Sequence, residues 1–401
     1  MKIKDITFIS VNYAPEDTAI GLYSTQWVDA LKKAGYNVTV VTAFPYYPKW
    51  EIAEAYKQKK TFLKEDRNGT TILRYKQFVP KNPTFLKRIL HLIDFTIGSF
   101  FNLFKIKKCD LVISVVPFTS SVFLGYIQKK RFKAKLWVHI QDFEFDIALQ
   151  AGVGKSKNSL FSLLFTLEKW LLSKANLTST ISHSMLSRLS EKTNSETYFF
   201  PNWIDDVSIN PAKSKTHPYL KSDKIKILYS GNMGDKQDWE AFFKFCKDLN
   251  QSKYEIVVVG DGAKKESICN KVKYLSNVNY YPPVPFEELS DLLCSADVHI
   301  LFQKPEVIDT VMPSKVLGMM ASGKPSIIIG NEGSEFKSIV EISGAGMYFT
   351  EYSEAVLRGL ETLNSDEYSV KDHGAKARNY VLENFSKEKI LSSMLEKLND
   401  I

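Results

Sequence analysis

Short apolar runs alternate with longer amphipathic stretches along most of the chain, which is the pattern of alternating strands and helices. In the first half, the predicted strands are 3–11, 37–41, 111–116, 136–140, 177–181 and 197–200. In the second half they are 225–229, 255–259, 298–302 and 326–329. Because parallel strands are buried on both faces, they form nearly continuous apolar runs of this kind. The pattern therefore predicts an α/β protein with mostly parallel sheets.

The pattern stops and restarts near the middle of the chain, at 205–224. This segment is polar and contains two prolines, as a linker does. At 401 residues the chain is also longer than one hydrophobic core usually supports. We predict an N-terminal domain over 1–205 and a C-terminal domain over 206–379, with a cleft between them that binds small ligands. We expect the terminal helix, within 380–401, to pack back on the N-terminal domain.

Glycine-containing loops follow two predicted strands of the second half, at 231–236 and 260–262, and a proline-rich loop lies at 281–288. Glycine lets the backbone approach a ligand closely, and a lysine such as Lys236 attracts phosphate as a point charge. Each loop alone is also ordinary turn chemistry. Their recurrence at the carboxyl ends of consecutive strands favours a nucleotide site.

The segment 309–325 adds a predicted anion site to these loops. Pro313 suits the first turn of a helix, where its missing N–H costs nothing. The free amides of that turn, with Ser314 and Lys315 beside them, can bind an anion. Gly323 then ends the helix. The segment predicts a diphosphate held in the second half of the chain.

Other sites of common enzymes are absent from the sequence. There is no GxGxxG after a strand and no GxxxxGK[ST], so dinucleotide and P-loop sites are disfavoured. The six histidines and four cysteines lack paired metal-ligand spacing, so we expect no metal site. No signal peptide precedes the first strand, and the scattered cysteines are typical of a reducing compartment, so we expect a cytoplasmic protein.

Polar residues also follow strands of the first half. His139, Gln141, Asp142 and Glu144 lie at the end of the strand 136–140, where burying polar groups is costly unless they serve a site. The alternative for Asp142 is a cap on the following helix. His183 follows the strand 177–181, and it fits a cap or a site residue equally well.

Positive charge is concentrated in the region 76–135. This region holds twelve Lys or Arg against two Asp, a net charge of +10 when the whole chain carries +8. Within it, 85–104 is strongly apolar but too short and too interrupted by polar residues to span a membrane. It predicts either a buried core helix or an interfacial helix on an anionic membrane. Nucleic acid fits less well, because the basic residues are not interleaved with stacking aromatic residues.

Taken together, these motifs resemble glycosyltransferase family 4, retaining enzymes of the GT-B fold with two Rossmann-like domains facing a central cleft. Within the family, the chain is similar to bacterial enzymes of O-antigen, capsule and colanic acid, including fucosyl and N-acetyl-L-fucosaminyl transferases. The likeness covers nearly the whole chain. The matching motifs are Asn12-Tyr-Ala-Pro-Glu with Gly21, Pro45-Tyr-Tyr-Pro-Lys-Trp50, His139-Ile-Gln-Asp142, Ser179-Thr-Ile-Ser182, Phe200-Pro-Asn-Trp203, Tyr229-Ser-Gly-Asn-Met-Gly-Asp-Lys-Gln237, Val259-Gly-Asp-Gly262, Met312-Pro-Ser-Lys315 and Gly323-Lys-Pro325.

The resemblance implies a role for each candidate residue. Catalysis is assigned to Asp142, Lys236 and Lys315. Contacts to the sugar or acceptor are assigned to His139, Gln141, Glu144 and His183. Donor binding is assigned to Gly21, Gly231, Asn232, Gly262, Val284, Asp309, Thr310, Pro313 and Ser314.

Two features depart from the family pattern. The family often carries two glutamates that contact the ribose, and Thr310 and Gly318 occupy their positions here. The family's arginine after the first glycine of the second domain is Asn232. The charge that meets the phosphates then rests on Lys236 and Lys315.

The resemblance implies transfer of a sugar from a nucleoside-diphosphate donor to a lipid-linked saccharide in capsule or O-antigen biosynthesis. N-acetyl-L-fucosamine or another deoxy or N-acetyl sugar is the expected cargo, with UDP preferred over GDP. The acceptor is expected to be linked to undecaprenyl diphosphate, and the basic region 76–135 is expected to bind the inner face of the cell membrane. We expect no metal or other cofactor and no nucleic acid partner. The alternatives are a nucleotide-sugar epimerase of similar fold and a non-catalytic sugar-nucleotide-binding protein.

Overall fold

The computed structural model describes residues 3–17, 19–82, 84–117, 119–146, 158–205, 207–307, 314–365 and 367–401. The chain divides into two compact units, Met1–Pro201 with Leu391–Ile401, and Asn202–Ile390. Each unit has its own sheet and its own hydrophobic core. The division falls between Pro201 and Asn202, four residues before the predicted boundary, and residues 380–390 lie with the second unit.

The first unit contains an eight-stranded sheet in the order β3-β4-β2-β1-β5-β6-β7-β8. Neighbouring strands are parallel except β3 and β4, which form an antiparallel hairpin. The strand order turns around between β1 and β5, and ligands of such sheets bind at the carboxyl ends of the strands at that point. The strands are β1 Asp5–Ile9, β2 Asn37–Ala43, β3 Phe62–Arg67, β4 Thr70–Tyr75, β5 Leu111–Val116, β6 Lys135–Ile140, β7 Leu177–Thr180 and β8 Glu196–Phe199.

Helices connect the strands of this sheet. In α1, the apolar face of Trp27, Val28 and Leu31 is buried, and the helix ends in the basic residues Lys32 and Lys33, which complement its dipole. The helices are α1 Ala19–Lys33, α2 Glu54–Lys57, α3 Phe85–Leu103, α4 Thr119–Phe132, α5 Asn158–Leu172 and α6 His183–Ser190.

The β3–β4 hairpin was not predicted from the sequence. Its turn is Asn68-Gly69, a pair typical of tight hairpins, and the sequence pattern around it is weak. Strand β3 alternates half-buried and exposed residues because it lies at the edge of the sheet. Charged residues on such a strand discourage pairing with another chain.

The second unit contains a six-stranded sheet in the order β11-β10-β9-β12-β13-β14, in which all pairs are parallel. Its order turns around between β9 and β12. The strands are β9 Ile225–Ser230, β10 Tyr254–Val259, β11 Val278–Tyr281, β12 Val298–Phe302, β13 Ser326–Ile329 and β14 Gly346–Phe349. The prediction of mostly parallel sheets is confirmed, although β11 and β14, which are short edge strands, were missed.

The helices of the second unit include α10, which follows β12 and contains the predicted anion-binding lysine. They are α7 Trp239–Asp248, α8 Lys265–Val272, α9 Leu289–Cys294, α10 Ser314–Ala321, α11 Glu335–Ser343, α12 Glu354–Leu363 and α13 Glu367–Phe385. The last helix, α14 Lys387–Asp400, reaches the first unit, where the hydroxyls of Ser393 and Tyr198 lie 3.0 Å apart.

Candidate functional site

The loops after β9 and β10 are in direct contact at the carboxyl edge of the second sheet. The amide of Met233 donates to the carbonyl of Asp261 at 2.8 Å. Gly262 has a φ of +152°, and a Cβ there would lie 2.4 Å from Oδ1 of Asn232, so only glycine fits. The structure thus brings together three predicted donor-binding residues, Gly231, Asn232 and Gly262.

Lys315 extends from the first turn of α10 to the same loops. Its Nζ lies 3.1 Å from the point that a Cβ on Gly231 would occupy, and Gly231 itself has a φ of +137°. The Nζ also lies 5.0 Å from the centre of the Tyr229 ring and donates to the Tyr229 hydroxyl at 3.4 Å. Burial lowers the pKa of Lys315 to about 8. Within the ranges that the structure describes, no carboxylate lies at ion-pair distance from this ammonium.

This arrangement is suited to an anion. An ammonium that has lost water and gained no carboxylate is costly for the fold, and a phosphate group would supply the missing charge. The N-terminus of α10 adds free amides and the positive end of the helix dipole. Ser314 is the first residue of α10, while Asp309, Thr310 and Pro313 lie outside the described residues.

Two further predicted residues lie in loops at the same edge. Lys236 follows Gly231 and Asn232 in the loop after β9, and its side chain is exposed. Its carbonyl accepts from the amide of Lys304, which ties the loop to the segment after β12. Val284 is half-buried in the loop after β11. Their contacts with a nucleotide stay predictions.

In the first unit, His139 is a core residue. Its ring is 2% exposed and packs against Trp27 and Phe200. Burial lowers its pKa to about 3, so the ring is neutral at physiological pH. Its Nδ1 lies 2.9 Å from Oγ of Ser179, and its Nε2 accepts from Nε2 of Gln141 at 3.0 Å. His139 is thus enclosed and bonded to Gln141, and its predicted contact with the sugar or acceptor stays a prediction.

The other predicted residues of the first unit lie near the carboxyl ends of β5, β6 and β7. Glu144 accepts from the amide of Thr119, at the start of α4, at 2.8 Å. Asp142 is half-buried and close enough to contribute to the raised pKa of the Tyr47 phenol, after burial itself. His183 is exposed and stacks on Phe199 with 4.0 Å between ring centres.

The cap of α6 belongs to Ser182 and not to His183. The Ser182 side chain accepts from the amide of Met185 at 3.1 Å, as an N-cap residue does. His183 is therefore not the cap of α6, and its other possible role, as a site residue, stays a prediction.

Glu16 is the last residue of the motif Asn12-Tyr-Ala-Pro-Glu, and no role was predicted for it. Its carboxylate is 7% exposed and lies in the loop after β1. Oε1 accepts from the amides of Tyr46 and Tyr47, both at 2.8 Å, and Oε2 accepts from Nδ2 of Asn12 at 2.8 Å. A Cβ on Gly21 would lie 2.7 Å from Cβ of Glu16, so α1 also packs closely on this loop. Glu16 lies in the loop that follows β1 at the switch point of the sheet, and an acidic residue in such a loop is the sequence signal for a ligand site.

An apolar surface covers the outer side of α3, α4 and α5 in the first unit. Its residues are between 43% and 65% exposed, although they are large and hydrophobic. We call it the apolar face, and it consists of Leu90, Ile93, Ile97, Phe101, Phe104, Phe123, Leu163, Leu167 and Trp170.

Helix α3 buries several polar residues together with Phe95 and Leu103, while other apolar residues of the helix are exposed. His91, Ser99 and Asn102 are fully buried, and Asp94 accepts from the hydroxyl of Tyr75 at 2.9 Å. Of the two predictions for 85–104, the buried core helix is wrong, because α3 exposes large apolar side chains. The interfacial helix on an anionic membrane stays a prediction.

Basic side chains lie on aromatic rings along this surface. Arg131 lies over Phe104, Lys105 over Phe62 and Lys174 over Trp170, at 4.8 to 5.4 Å from the ring centres. The apolar face is thus bordered by cations held at its rim.

The described residues contain neither a metal-binding cluster nor a membrane-spanning helix. No group of three His, Cys, Asp or Glu within the described ranges is arranged to hold a metal ion. Among the helices described here, none combines the length and apolarity that crossing a membrane requires.

Two α/β units, each built on a parallel, Rossmann-like sheet, define the GT-B fold, and solved structures agree. The sucrose-phosphate synthase from Thermosynechococcus elongatus matches with a TM-score of 0.77 and 17% identity, over 99% of this chain and 98% of that one. Anabaena Alr3699/HepE in complex with UDP and glucose matches with a TM-score of 0.66 and 12% identity, over 99% of this chain and 100% of that one. These likenesses confirm the predicted fold class.

The family follows from sequence similarity. Residues 224–366 match the family described as glycosyl transferases group 1. The putative colanic acid biosynthesis glycosyl transferase WcaI of Escherichia coli (strain K12) is 31% identical over 414 residues, which is 99% of each chain. The chain belongs to the group 1 glycosyltransferases, and the prediction of a transferase enzyme is confirmed.

Proposed function

We propose that this glycosyltransferase moves a sugar from a nucleoside-diphosphate donor to a lipid-linked saccharide in bacterial polysaccharide biosynthesis. The observation that carries the proposal is the desolvated ammonium of Lys315 beside Gly231, at the switch point of the second sheet. The related chain named for colanic acid biosynthesis supports the role in polysaccharide biosynthesis, and the fold relative solved with UDP and glucose supports a UDP-linked donor. The expected cargo is N-acetyl-L-fucosamine or another deoxy or N-acetyl sugar.

In this reaction the bond between the anomeric carbon and the diphosphate oxygen breaks, and the acceptor oxygen bonds to the same face of the sugar. The acceptor proton passes to the departing phosphate oxygen. Negative charge develops on the diphosphate, and Lys315, Lys236 and the start of α10 stabilise it. Preorganised cations of this kind act most strongly where water is excluded, and Lys315 is already desolvated.

The proposed acceptor is a saccharide on undecaprenyl diphosphate, and the proposed partner surface is the anionic inner face of the membrane. The apolar face supports this proposal because water-soluble proteins rarely expose so many large apolar side chains together. The rim cations Lys105, Arg131 and Lys174 complement anionic lipid head groups. An amphipathic helix with such a border lies in the interface and does not cross it.

Turnover with a defined panel tests the function. Purified protein is incubated with UDP- and GDP-sugars, with and without short saccharides on undecaprenyl diphosphate, and products are identified by mass spectrometry. We expect acceptor-dependent release of UDP and a glycolipid product whose anomeric configuration, read by NMR, matches that of the donor. An epimerase would instead release free nucleotide without acceptor. Binding of UDP without turnover of any pair would favour the non-catalytic alternative and contradict the proposal.

The affinity for UDP is expected to fall as the pH rises through about 8. Below this pH the Lys315 amine is protonated and attracts the diphosphate, and above it the free protein must first take up a proton. The bound anion raises the pKa of Lys315, so the loss is gradual, about threefold to tenfold between pH 8 and 9.5. Isothermal titration of UDP from pH 6.5 to 9.5 measures it, and Lys315→Met should make the profile flat. An equally steep profile in that variant would assign the dependence to another group.

A further inference from the structure

Two buried charged side chains join the loop after β1 to the segment after β2. Glu16 accepts from the amides of Tyr46 and Tyr47. Arg74, 2% exposed, donates to the carbonyl of Ala43 at 3.0 Å and also to the carbonyl of Ala14. Both side chains therefore bridge the same two segments at the carboxyl edge of the first sheet.

The carboxylate of Glu16 is held by neutral N–H donors. In the part of the chain that the structure describes, no Lys, Arg or His lies within ion-pair distance of it. Burial raises the pKa of Glu16, and the amides of Tyr47 and Tyr46 oppose that rise. Burying a carboxylate here costs more folding free energy than burying an amide would. A carboxylate is also the stronger hydrogen-bond acceptor, and here that strength holds the segment after β2 in place.

The segment that Glu16 holds ends in an exposed aromatic ring. Hydrogen bonds to Glu16 fix the backbone of Tyr46 and Tyr47. The Tyr46 ring packs on the His91 ring of α3, with 4.8 Å between ring centres. The Tyr47 ring is 41% exposed, and its phenol lies in the field of Asp142. An exposed ring beside a carboxylate can stack on the apolar side of a sugar while the carboxylate accepts from its hydroxyls.

We propose that Glu16 is a positioning residue that fixes the exposed Tyr47 at the carboxyl edge of the first sheet, and that Tyr47 contacts the sugar of the acceptor. Both residues lie in the first unit, whereas the proposed diphosphate site lies in the second. This assignment rests on the proposed function because it names the acceptor side of the same reaction. Tyr47 is the residue that sets which acceptor sugar fits.

The hydrogen bond between Glu16 and Asn12 offers a swap test. In Glu16→Gln the new amide faces the amide of Asn12, donor against donor, and the clamp weakens. Adding Asn12→Asp restores the hydrogen bond in the opposite direction, because the side-chain amide at position 16 now donates to the carboxylate at position 12. The pair still contains one carboxylate. We expect Glu16→Gln to lower kcat/KM for the acceptor about tenfold and the double variant to recover most of it, with the Kd for UDP within about twofold throughout. The assay uses the donor and acceptor pair that turns over in the panel above.

Two readouts separate positioning from a loss of folding. Hydrogen exchange at the amides of Tyr46 and Tyr47 should quicken in Glu16→Gln and slow again in the double variant. The matched control is Asp110→Asn, because the Asp110 carboxylate accepts from the amides of Lys4 and Asp5, both at 2.9 Å, at the amino ends of the strands. That control should leave kcat/KM for the acceptor unchanged.

Tyr47→Ala tests the contact itself. We expect the KM for the acceptor to rise about tenfold while the Kd for UDP stays the same. The acceptor KM of Tyr47→Phe should lie between that of the wild type and that of Tyr47→Ala. Two results would overturn this assignment and leave the proposed function standing. One is unchanged acceptor kinetics in Tyr47→Ala. The other is a Glu16→Gln variant with neither faster exchange nor a kinetic effect. A wild-type chain that turns over no pair would overturn the proposed function and this assignment with it, whatever the exchange rates.

Discussion

Replacing Lys315 by methionine is expected to lower turnover by about 100-fold or more while the protein stays folded. The charge of Lys315 meets the diphosphate as it departs, and removing one such preorganised group typically costs about 100- to 1000-fold in kcat. The Kd for UDP should rise by about tenfold to 100-fold, since a hydrogen bond to a charged group contributes about 1.5–3 kcal/mol. Steady-state kinetics and isothermal titration measure the two effects.

The same substitution should leave stability equal or raise it. In the folded protein the pKa of Lys315 is lowered by burial, so folding opposes the charge that the site needs. Methionine fills a similar volume without that charge, so the unfolding temperature should not fall. Lost activity with gained stability is the signature of a functional site. A fall in the unfolding temperature together with normal turnover would contradict the role given to Lys315.

Two other lysines of the second unit complete this experiment. Lys226→Met is the matched control, because Lys226 pairs with Asp297 at 2.8 Å at the amino end of β9 and should not affect UDP binding. Lys236→Ala should also lower turnover, because the exposed Lys236 lies in the loop after β9. Near-normal turnover in both Lys236→Ala and Lys315→Met would remove the proposed diphosphate site.

Replacing Ile97 and Phe101 together by glutamate is expected to weaken binding to anionic vesicles by more than about 100-fold. The two residues are 56% and 55% exposed on the apolar face. Each loses roughly 1 kcal/mol of apolar burial in the bilayer interface. Each added carboxylate is also repelled by anionic lipid, by about 1 kcal/mol. The sum of about 4 kcal/mol corresponds to well over a 100-fold change in affinity.

Co-sedimentation with vesicles of phosphatidylcholine, with and without added anionic phosphatidylglycerol, measures this binding. Wild-type protein should bind the anionic vesicles and bind the neutral ones much more weakly. Ile342→Glu is the matched control, because Ile342 is 74% exposed on α11 of the second unit. Binding indifferent to lipid charge would contradict the membrane proposal. If a second copy of the chain covers the apolar face instead, the double variant will change the mass measured by light scattering.

The anion site of the second unit was accessible to sequence reasoning because its parts are local. Gly231 and Gly262 each lie within three residues of the end of an apolar strand, and Lys315 lies at the start of a helix that a proline precedes. Loops that follow parallel strands meet at one edge of the sheet whatever the details of packing. Periodicity and turn chemistry were therefore enough to propose that these residues lie together.

The first unit was less predictable because its site depends on what lies beneath each side chain. His139 follows a strand just as Gln141 does, and only packing against Trp27 and Phe200 shows that its ring is enclosed. Glu16 lies 30 residues from Tyr46 in the sequence, and no local pattern joins them. Such contacts are set by the sheet order, which composition and periodicity do not specify.

The sequence by itself determined the α/β class, the parallel strands, the glycine loops and the lysine of the predicted phosphate site, because these follow from local patterns of apolar and turn residues. The polarity of α3 was decided only by the tertiary structure. Its apolar and polar residues are mixed in sequence, and the side facing the core is the one that accommodates Tyr46, Tyr75 and Trp50. Because Asp94 accepts from the Tyr75 hydroxyl and the His91 ring packs on Tyr46, these two polar residues face inward, and apolar residues such as Ile97 are left at the surface.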